Sequence, residues 1–367
     1  MKKIKKLCIS LVLLLVIAFC LFIALDREVQ EDTVKIGFVG PFTGALAATG
    51  EPVKTGFELA NEQSNIEVIY EDDKCNVNEA VKAAKKLIEI DKVKILVSGV
   101  CSSSTLGMAP LAEENGVILI SPVAASPDIT DAGDYVFRVA SSSDLMASNA
   151  AKLLIEQGYS KIGILYELND YPVGWKDVFK KEFEVLGGEI IIEESFNSGD
   201  QDVKAQLVKI NEEDPDAILF TVLSVPSAIT VLKQSNELGT DVQLIGSEVF
   251  SFKSVTNSNP NAIEGMLITT YGYDLESNEM KKFLLDYKNK YGKDVTEEIY
   301  GALGYDTYNL LAEAIDECND NTECIKEYLN RANVMVGASG QYVLDENGDA
   351  IREVVVRRVV EGKAVLS

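Results

Sequence analysis

The chain has 367 residues, of which 47% are apolar, a net charge of −24 and no histidine. That length and apolar content allow two domains with real cores and exclude a disordered chain. The acidity argues against nucleic acid as a partner, because phosphate binding needs a basic face. The lack of histidine removes the commonest general base and metal ligand.

Lys2, Lys3, Lys5 and Lys6 precede an apolar run from Leu7 to Leu25, with Ser10 as its main polar interruption. As a helix that run would be about 28 Å long, close to the thickness of a bilayer core. The lysines are expected to stay cytoplasmic, so everything after Asp26 lies outside. Residues 1–25 are read as a signal or transmembrane anchor and residues 26–32 as a linker. Ala18-Phe19-Cys20 makes a poor cleavage site because Phe19 is bulky, and Phe19 also spoils Cys20 as a lipoprotein acceptor. A retained anchor is the first expectation and a lipidated Cys20 the second. Both tether the domain to the cell membrane on its outer side, at the cell surface or in a periplasm.

Short apolar strands then alternate with amphipathic helices. Strands are expected at Val34–Val39, Glu67–Tyr70, within Val93–Val100 and at Val117–Ser121. Helices are expected at Thr55–Gln63 and Val77–Asp91. The pattern restarts with a helix at Asp144–Gln157. Strands Lys161–Tyr166, Ile190–Glu193, Ala217–Val222 and Gln243–Ile245 follow, interleaved with helices Gly174–Leu186, Val203–Glu212 and Ser227–Leu238. Such alternation means βαβ units and parallel sheets covered on both faces. Helices Asn278–Tyr291, Ile299–Cys318 and Cys324–Arg331 come next. The tail has two β-rich runs, Gly340–Leu344 and Glu353–Val360, with a hairpin signal between them at Asp345-Glu346-Asn347-Gly348.

One stretch carries chemistry. The apolar run that ends at Val100 passes into Cys101-Ser102-Ser103-Ser104-Thr105, after which Leu106, Ala109, Leu111 and Ala112 take helical spacing up to Asn115-Gly116. Strand, turn and helix start in that order make an anion site, through free backbone N–H groups and the positive end of the helix dipole. Hydroxyls add donors without charge and suit a carboxylate that must be held and later released. Serines at such a place also serve as plain helix caps.

Cys8 and Cys20 lie in the apolar segment. The other four, Cys75, Cys101, Cys318 and Cys324, allow three pairings. Cys318 and Cys324 bracket a turn-like loop, which leaves Cys75 with Cys101, each just after a strand end. A zinc site is the alternative, but neither a histidine nor a C-x-x-C pair supports it. No cofactor and no metal are expected.

Asp72-Asp73-Lys74-Cys75, the Cys101–Thr105 run and Ile120-Ser121-Pro122-Val123-Ala124-Ala125-Ser126-Pro127-Asp128-Ile129-Thr130 resemble the leucine/isoleucine/valine-binding protein family. These are extracytoplasmic receptors of branched-chain amino acid ABC transporters. The likeness continues through Val34–Gly44, Asn169-Asp170-Tyr171, Gly246-Ser247-Glu248 and Gly301–Asp306, nearly all of residues 34–345. It implies a type I periplasmic binding protein, an α/β fold of two doubly wound parallel-sheet lobes joined by a three-crossing hinge. Lobe 1 would take residues 33–143 and 273–336, and lobe 2 residues 144–272 and 337–367. The resemblance implies the same cysteine pairing.

It also implies roles. Ser102 matches the serine that binds the ligand carboxylate. Ala124, with Ala125 after it, lies where the backbone meets that carboxylate. Glu248 matches the acid that pairs with the ligand ammonium, although a solvated loop glutamate is the commoner fate of such a residue. Tyr171 matches an aromatic that covers the ligand from lobe 2, where a surface turn would also place a tyrosine. The implied partners are a small amino acid, branched-chain or similar, and the permease subunits of an ABC importer. The protein is expected to be a monomer.

The chain departs from the family at three places. Ala125 replaces a threonine and removes a hydroxyl that Ser126 or Thr130 would have to supply. Thr49 and Val225 stand where aromatics are usual. The side-chain preference of the pocket is thereby left open, and so is a ligand such as an amide or a carboxylate without an amine. Catalysis finds no support. There is no G-x-G-x-x-G, no phosphate-loop motif, no G-x-S-x-G elbow and no nucleophile–base pair. A ligand-sensing receptor ectodomain is the other class this fold would serve.

Overall fold

The structure is a computed structural model that describes residues 33–63, 66–331 and 333–366. The apolar run 7–25, with Cys8 and Cys20, lies outside the described residues, and so does the expected anchor. Among the described residues no helix is long and apolar enough to cross a membrane.

The first alternation is β1 (Lys35–Gly40), α1 (Ala47–Ala60), β2 (Glu67–Asp72), α2 (Val77–Glu89), β3 (Ile95–Ser98), α3 (Ser102–Asn115), β4 (Ile118–Ser121) and β5 (Val136–Arg138). Its strands form one parallel sheet in the order β2-β1-β3-β4-β5. The second alternation is α4 (Ser143–Glu156), β6 (Lys161–Leu168), α5 (Asp170–Val185), β7 (Glu189–Asn197), α6 (Lys204–Glu212), β8 (Ala217–Thr221), α7 (Val225–Glu237) and β9 (Gln243–Gly246). It ends with the short helices α8 (Lys253–Thr256) and α9 (Pro260–Ile263) and the strand β10 (Leu267–Tyr271). Then come α10 (Asn278–Tyr291), α11 (Glu298–Cys318), α12 (Thr322–Leu329), β11 (Val334–Gly337), β12 (Gly340–Leu344), β13 (Ala350–Arg352), β14 (Val354–Val360) and β15 (Lys363–Leu366).

The second sheet runs β15-β14-β10-β9-β8-β6-β7. Strands β6 to β10 are parallel, and β14 and β15 add antiparallel at one edge. Parallel strands buried on both faces should read as continuous apolar runs, and Ile95–Val97 and Ala217–Phe220 do, fully buried. The Cys75–Cys101 and Cys318–Cys324 bonds are both present.

Helix α11 follows the parallel strands of the second sheet in the chain but packs on α1, beside the first sheet. Glycines make this close approach possible. A Cβ on Gly56 would stand 2.0 Å from the Gly301 carbonyl oxygen, and one on Gly304 would stand 2.1 Å from that of Val53. Two helix backbones touch there, which only glycine permits. Among the described residues the chain leaves the first sheet at Val139–Ser142, leaves the second after Tyr271, and returns to the second from β13 at Glu353.

Strands β5 and β10 are not among those expected from the sequence, and two expectations need correction. The turn Asp345–Gly348 does not join Gly340–Leu344 to the Glu353–Val360 run. Strand β12 pairs with β11 and β13 in a third, antiparallel sheet, whereas β14 pairs with β10 and β15. A turn signal sets where the chain reverses, while the partner of a β-rich run depends on which sheet edge its apolar face can cover. Helix α1 starts at Ala47 and not at Thr55. Its first turn, Ala47-Ala48-Thr49-Gly50, has no apolar period to reveal it.

Candidate functional site

The candidate residues all lie beyond the carboxyl ends of parallel strands, where open α/β sheets take ligands. Ser102 follows β3, Ala124 and Ala125 follow β4, Tyr171 follows β6 and Glu248 follows β9. The two alternations meet at this level. Helix α5, in the second alternation, contacts both α3 and the turn Pro127–Ile129, and Gly174 of α5 lies close to Pro127.

In the first alternation, Ser102 opens α3 without capping it. The N-cap position is Cys101, whose side chain accepts none of the helix's first N–H groups. The Ser102 hydroxyl instead turns to the neighbouring loop, where its Oγ accepts the Ser126 N–H at 3.1 Å. A hydroxyl has one hydrogen and two lone pairs, so this bond leaves the hydrogen of Ser102 to donate at the helix start. Ser98 and Thr105 share a hydrogen bond of 2.6 Å beneath it, and Ser121 donates to the Ser98 carbonyl at 2.8 Å.

The two alanines are engaged within the protein. Ala124 N–H donates to Ser121 Oγ at 2.9 Å, and the Ala125 carbonyl accepts Ser143 N–H at 2.9 Å. Of the two hydroxyls near Ala125, Thr130 is bound between Arg138 and Asp349. Ser126 Oγ is fully buried with no partner among the described residues. It lies 3.4 Å from where a Cβ on Gly174 would stand. Thr49 is buried with its hydroxyl on the Leu46 carbonyl, and Val225 is buried.

In the second alternation, Glu248 is only 3% exposed. Tyr171 donates its hydroxyl to Oε2, and Tyr300 donates to Oε1 at 3.3 Å. Among the described residues no Lys or Arg pairs with this carboxylate. Burial raises its pKa above the usual carboxylate range, and the two tyrosine bonds offset this in part. The Tyr271 hydroxyl is buried with no hydrogen-bond partner among the described residues, and its pKa is raised by burial and by the charge of Glu248. A buried acid with hydroxyl donors and no cation is an incomplete ion pair, and an ammonium would complete it.

Sequence reading missed Tyr300 and Tyr271. Tyr300 sits in the first turn of α11, and no local signal separates it from an ordinary helix residue. Around it the segment 252–254 contacts the start of α11 further. Phe252 meets the Tyr300 ring edge-on at 4.8 Å, Ser254 donates to Glu297 at 2.8 Å, and Lys253 pairs with Glu298.

The model of the periplasmic binding protein family matches residues 33–364. The leucine-, isoleucine-, valine-, threonine- and alanine-binding protein of Pseudomonas aeruginosa is 30% identical over 334 residues, which cover 88% of each chain. The crystal structure of the leucine-binding protein LivK from Thermotoga maritima superposes with a TM-score of 0.83 at 32% identity, covering 91% of this chain and 97% of that one. The branched-chain amino acid transporter substrate-binding protein LivJ of Streptococcus pneumoniae, in complex with isoleucine, gives 0.81 at 26% identity, covering 91% and 98%. A Rhodopseudomonas palustris solute-binding protein in complex with benzoate shares the fold at 21% identity, with a TM-score of 0.82. This chain belongs to the type I periplasmic binding proteins, in the leucine/isoleucine/valine-binding family.

Proposed function

We propose that this protein is the extracytoplasmic substrate-binding component of an ABC importer, and that it captures an aliphatic α-amino acid by closing two lobes. The lobes are 33–143 with 273–336, and 144–272 with the tail, joined by a three-crossing hinge. The observation that carries the reading is Glu248, a buried carboxylate held by Tyr171 and Tyr300 and lacking a cation. Ser102, at a helix start with a hydroxyl hydrogen to donate, supplies the complementary end for a carboxylate. A zwitterion is the ligand that satisfies both, and a binder rather than a catalyst is what these groups make. Permease subunits are the partners this role requires.

The smaller side chains Thr49, Val225 and Ala125 leave the choice among aliphatic side chains to experiment. Calorimetry with L-leucine, L-isoleucine, L-valine, L-alanine and L-threonine, and with benzoate and the 2-oxo acid of leucine, tests the reading. Binding of amino acids with submillimolar affinity supports it. Binding of only the ligands without an amine overturns it.

Attachment to the outer face of the membrane rests on the four lysines before the apolar run 7–25. Mass analysis of the N-terminal peptide from native membranes separates a retained segment from a lipid on Cys20. A free N-terminus near Asp26, with neither, would refute the tether.

A further inference from the structure

Arg138 is the last residue of β5, just before the passage Val139–Ser142, and it is completely buried. A buried guanidinium is costly unless each face of its fork is answered. Nε and Nη2 grip both oxygens of Asp349, at 2.5 and 2.6 Å. Nη2 also reaches Thr130 Oγ1 at 2.6 Å, and Thr130 in turn donates to Asp349 Oδ2 at 2.7 Å. The remaining arm, Nη1, donates to the Ser126 carbonyl at 2.7 Å.

The two ends of this cluster face different tasks. Asp349 lies in the tail, just before β13 and the passage at Glu353. Its neighbourhood is stitched to the other passage, because Arg138 N–H donates to the Gly348 carbonyl at 2.9 Å and Ser141 Oγ donates to the Ala350 carbonyl at 2.7 Å. Ser126, at the opposite end, has both main-chain groups in use. Its carbonyl is held by Arg138, and its N–H goes to Ser102 Oγ. A shift of Asp349 against Arg138 therefore moves Ser126 and turns the hydroxyl of Ser102.

We propose that Arg138, locked to Asp349, is a positioning residue for the carboxylate half of the binding site, aiming the Ser102 hydroxyl through Ser126 and tying that aim to the geometry of the passages between the lobes. It rests on the amino acid reading for its ligand, but the clamp itself is readable without one. Arg138→Lys loses the fork, since an ammonium cannot answer Asp349 and Ser126 together. Thr130→Val removes one strut and strands no charge.

Amide hydrogen exchange on the full chain without ligand is the first measurement. In both variants the segment 122–130 should exchange about 10-fold faster, with β3 unchanged. The second is L-leucine affinity. Thr130→Val should weaken it about 3-fold and Arg138→Lys about 10-fold, and each should add almost nothing once Ser102→Ala is present. Unchanged exchange at 122–130 overturns the proposal, and so do effects that multiply with Ser102→Ala. If the wild-type protein binds no amino acid, the functional reading falls, and the exchange measurement still decides the clamp.

Discussion

Tyr300 and Glu248 meet in one buried cluster, the tyrosine from the helix that packs beside the first sheet and the acid from the strand end of the second, with the phenol donating to Oε1 at 3.3 Å. Among the described residues no Lys or Arg pairs with Glu248. In the proposed function, lobe closure brings Tyr300 to Glu248 and the ligand ammonium supplies the missing cation, so that ligand and closure complete the same cluster.

Glu248→Gln follows from this. The amide keeps the shape and keeps an acceptor for a tyrosine hydroxyl, but a bound ammonium loses its counter-charge. L-Leucine affinity should fall by about 2–5 kcal/mol in calorimetry. Benzoate or another carboxylate without an amine should bind the variant as well as wild type or better. Intact leucine affinity would move the ammonium site elsewhere.

Ser102→Ala should weaken L-leucine about 10-fold, because a hydrogen bond to a charged group is lost. It should also lower stability by about 1 kcal/mol, since the buried Ser126 N–H loses its acceptor. No cap is lost, because Ser102 makes none. Denaturant titration beside calorimetry reads both effects, and a stability loss with unchanged affinity would reduce Ser102 to a structural residue.

Gly174, in α5, packs against the turn at Pro127. A Cβ there would stand 2.7 Å from Pro127 Cδ, on a ring that cannot rotate away. Gly174→Val should leave the ligand-free protein as stable as wild type in its open form and should weaken L-leucine at least about 10-fold by obstructing closure. Small-angle scattering with and without leucine checks this. The wild type should contract, and the variant should contract less. Equal contraction would show that the ring gives way.

Glu297 predicts a pH dependence. Its carboxylate accepts the Ser254 hydroxyl at 2.8 Å, and burial above all pushes its pKa up to about 7. A group raised in the folded state contributes stability that is fully present below its unfolded value and is lost as pH rises through the folded one. The thermal midpoint should therefore be higher near pH 5.5 than near pH 8.5. Glu248 and Asp306, also raised by burial, act in the same direction. Glu297→Gln should flatten part of this slope, and a wild-type midpoint that rises with pH would contradict the assignment.

Much of the architecture was legible along the chain because it rests on local physics. Apolar period, the glycine and asparagine stops and the single long run of hydroxyls after Val100 placed most of the helices, the helix start at Ser102 and the parallel strands other than β5 and β10. The four cysteines paired as their positions at strand and helix ends suggested. What the tertiary structure decided is what depends on residues distant in sequence. Tyr300 joins Glu248 from 52 residues away, and Arg138 meets Asp349 across 211. Strand β14 leaves its sequence neighbour β13 to pair with β10. No period or turn residue encodes such partners. They are chosen when two glycine-lined helices close on each other, when a sheet edge finds a face to cover, and when a buried charge finds the groups that can answer it.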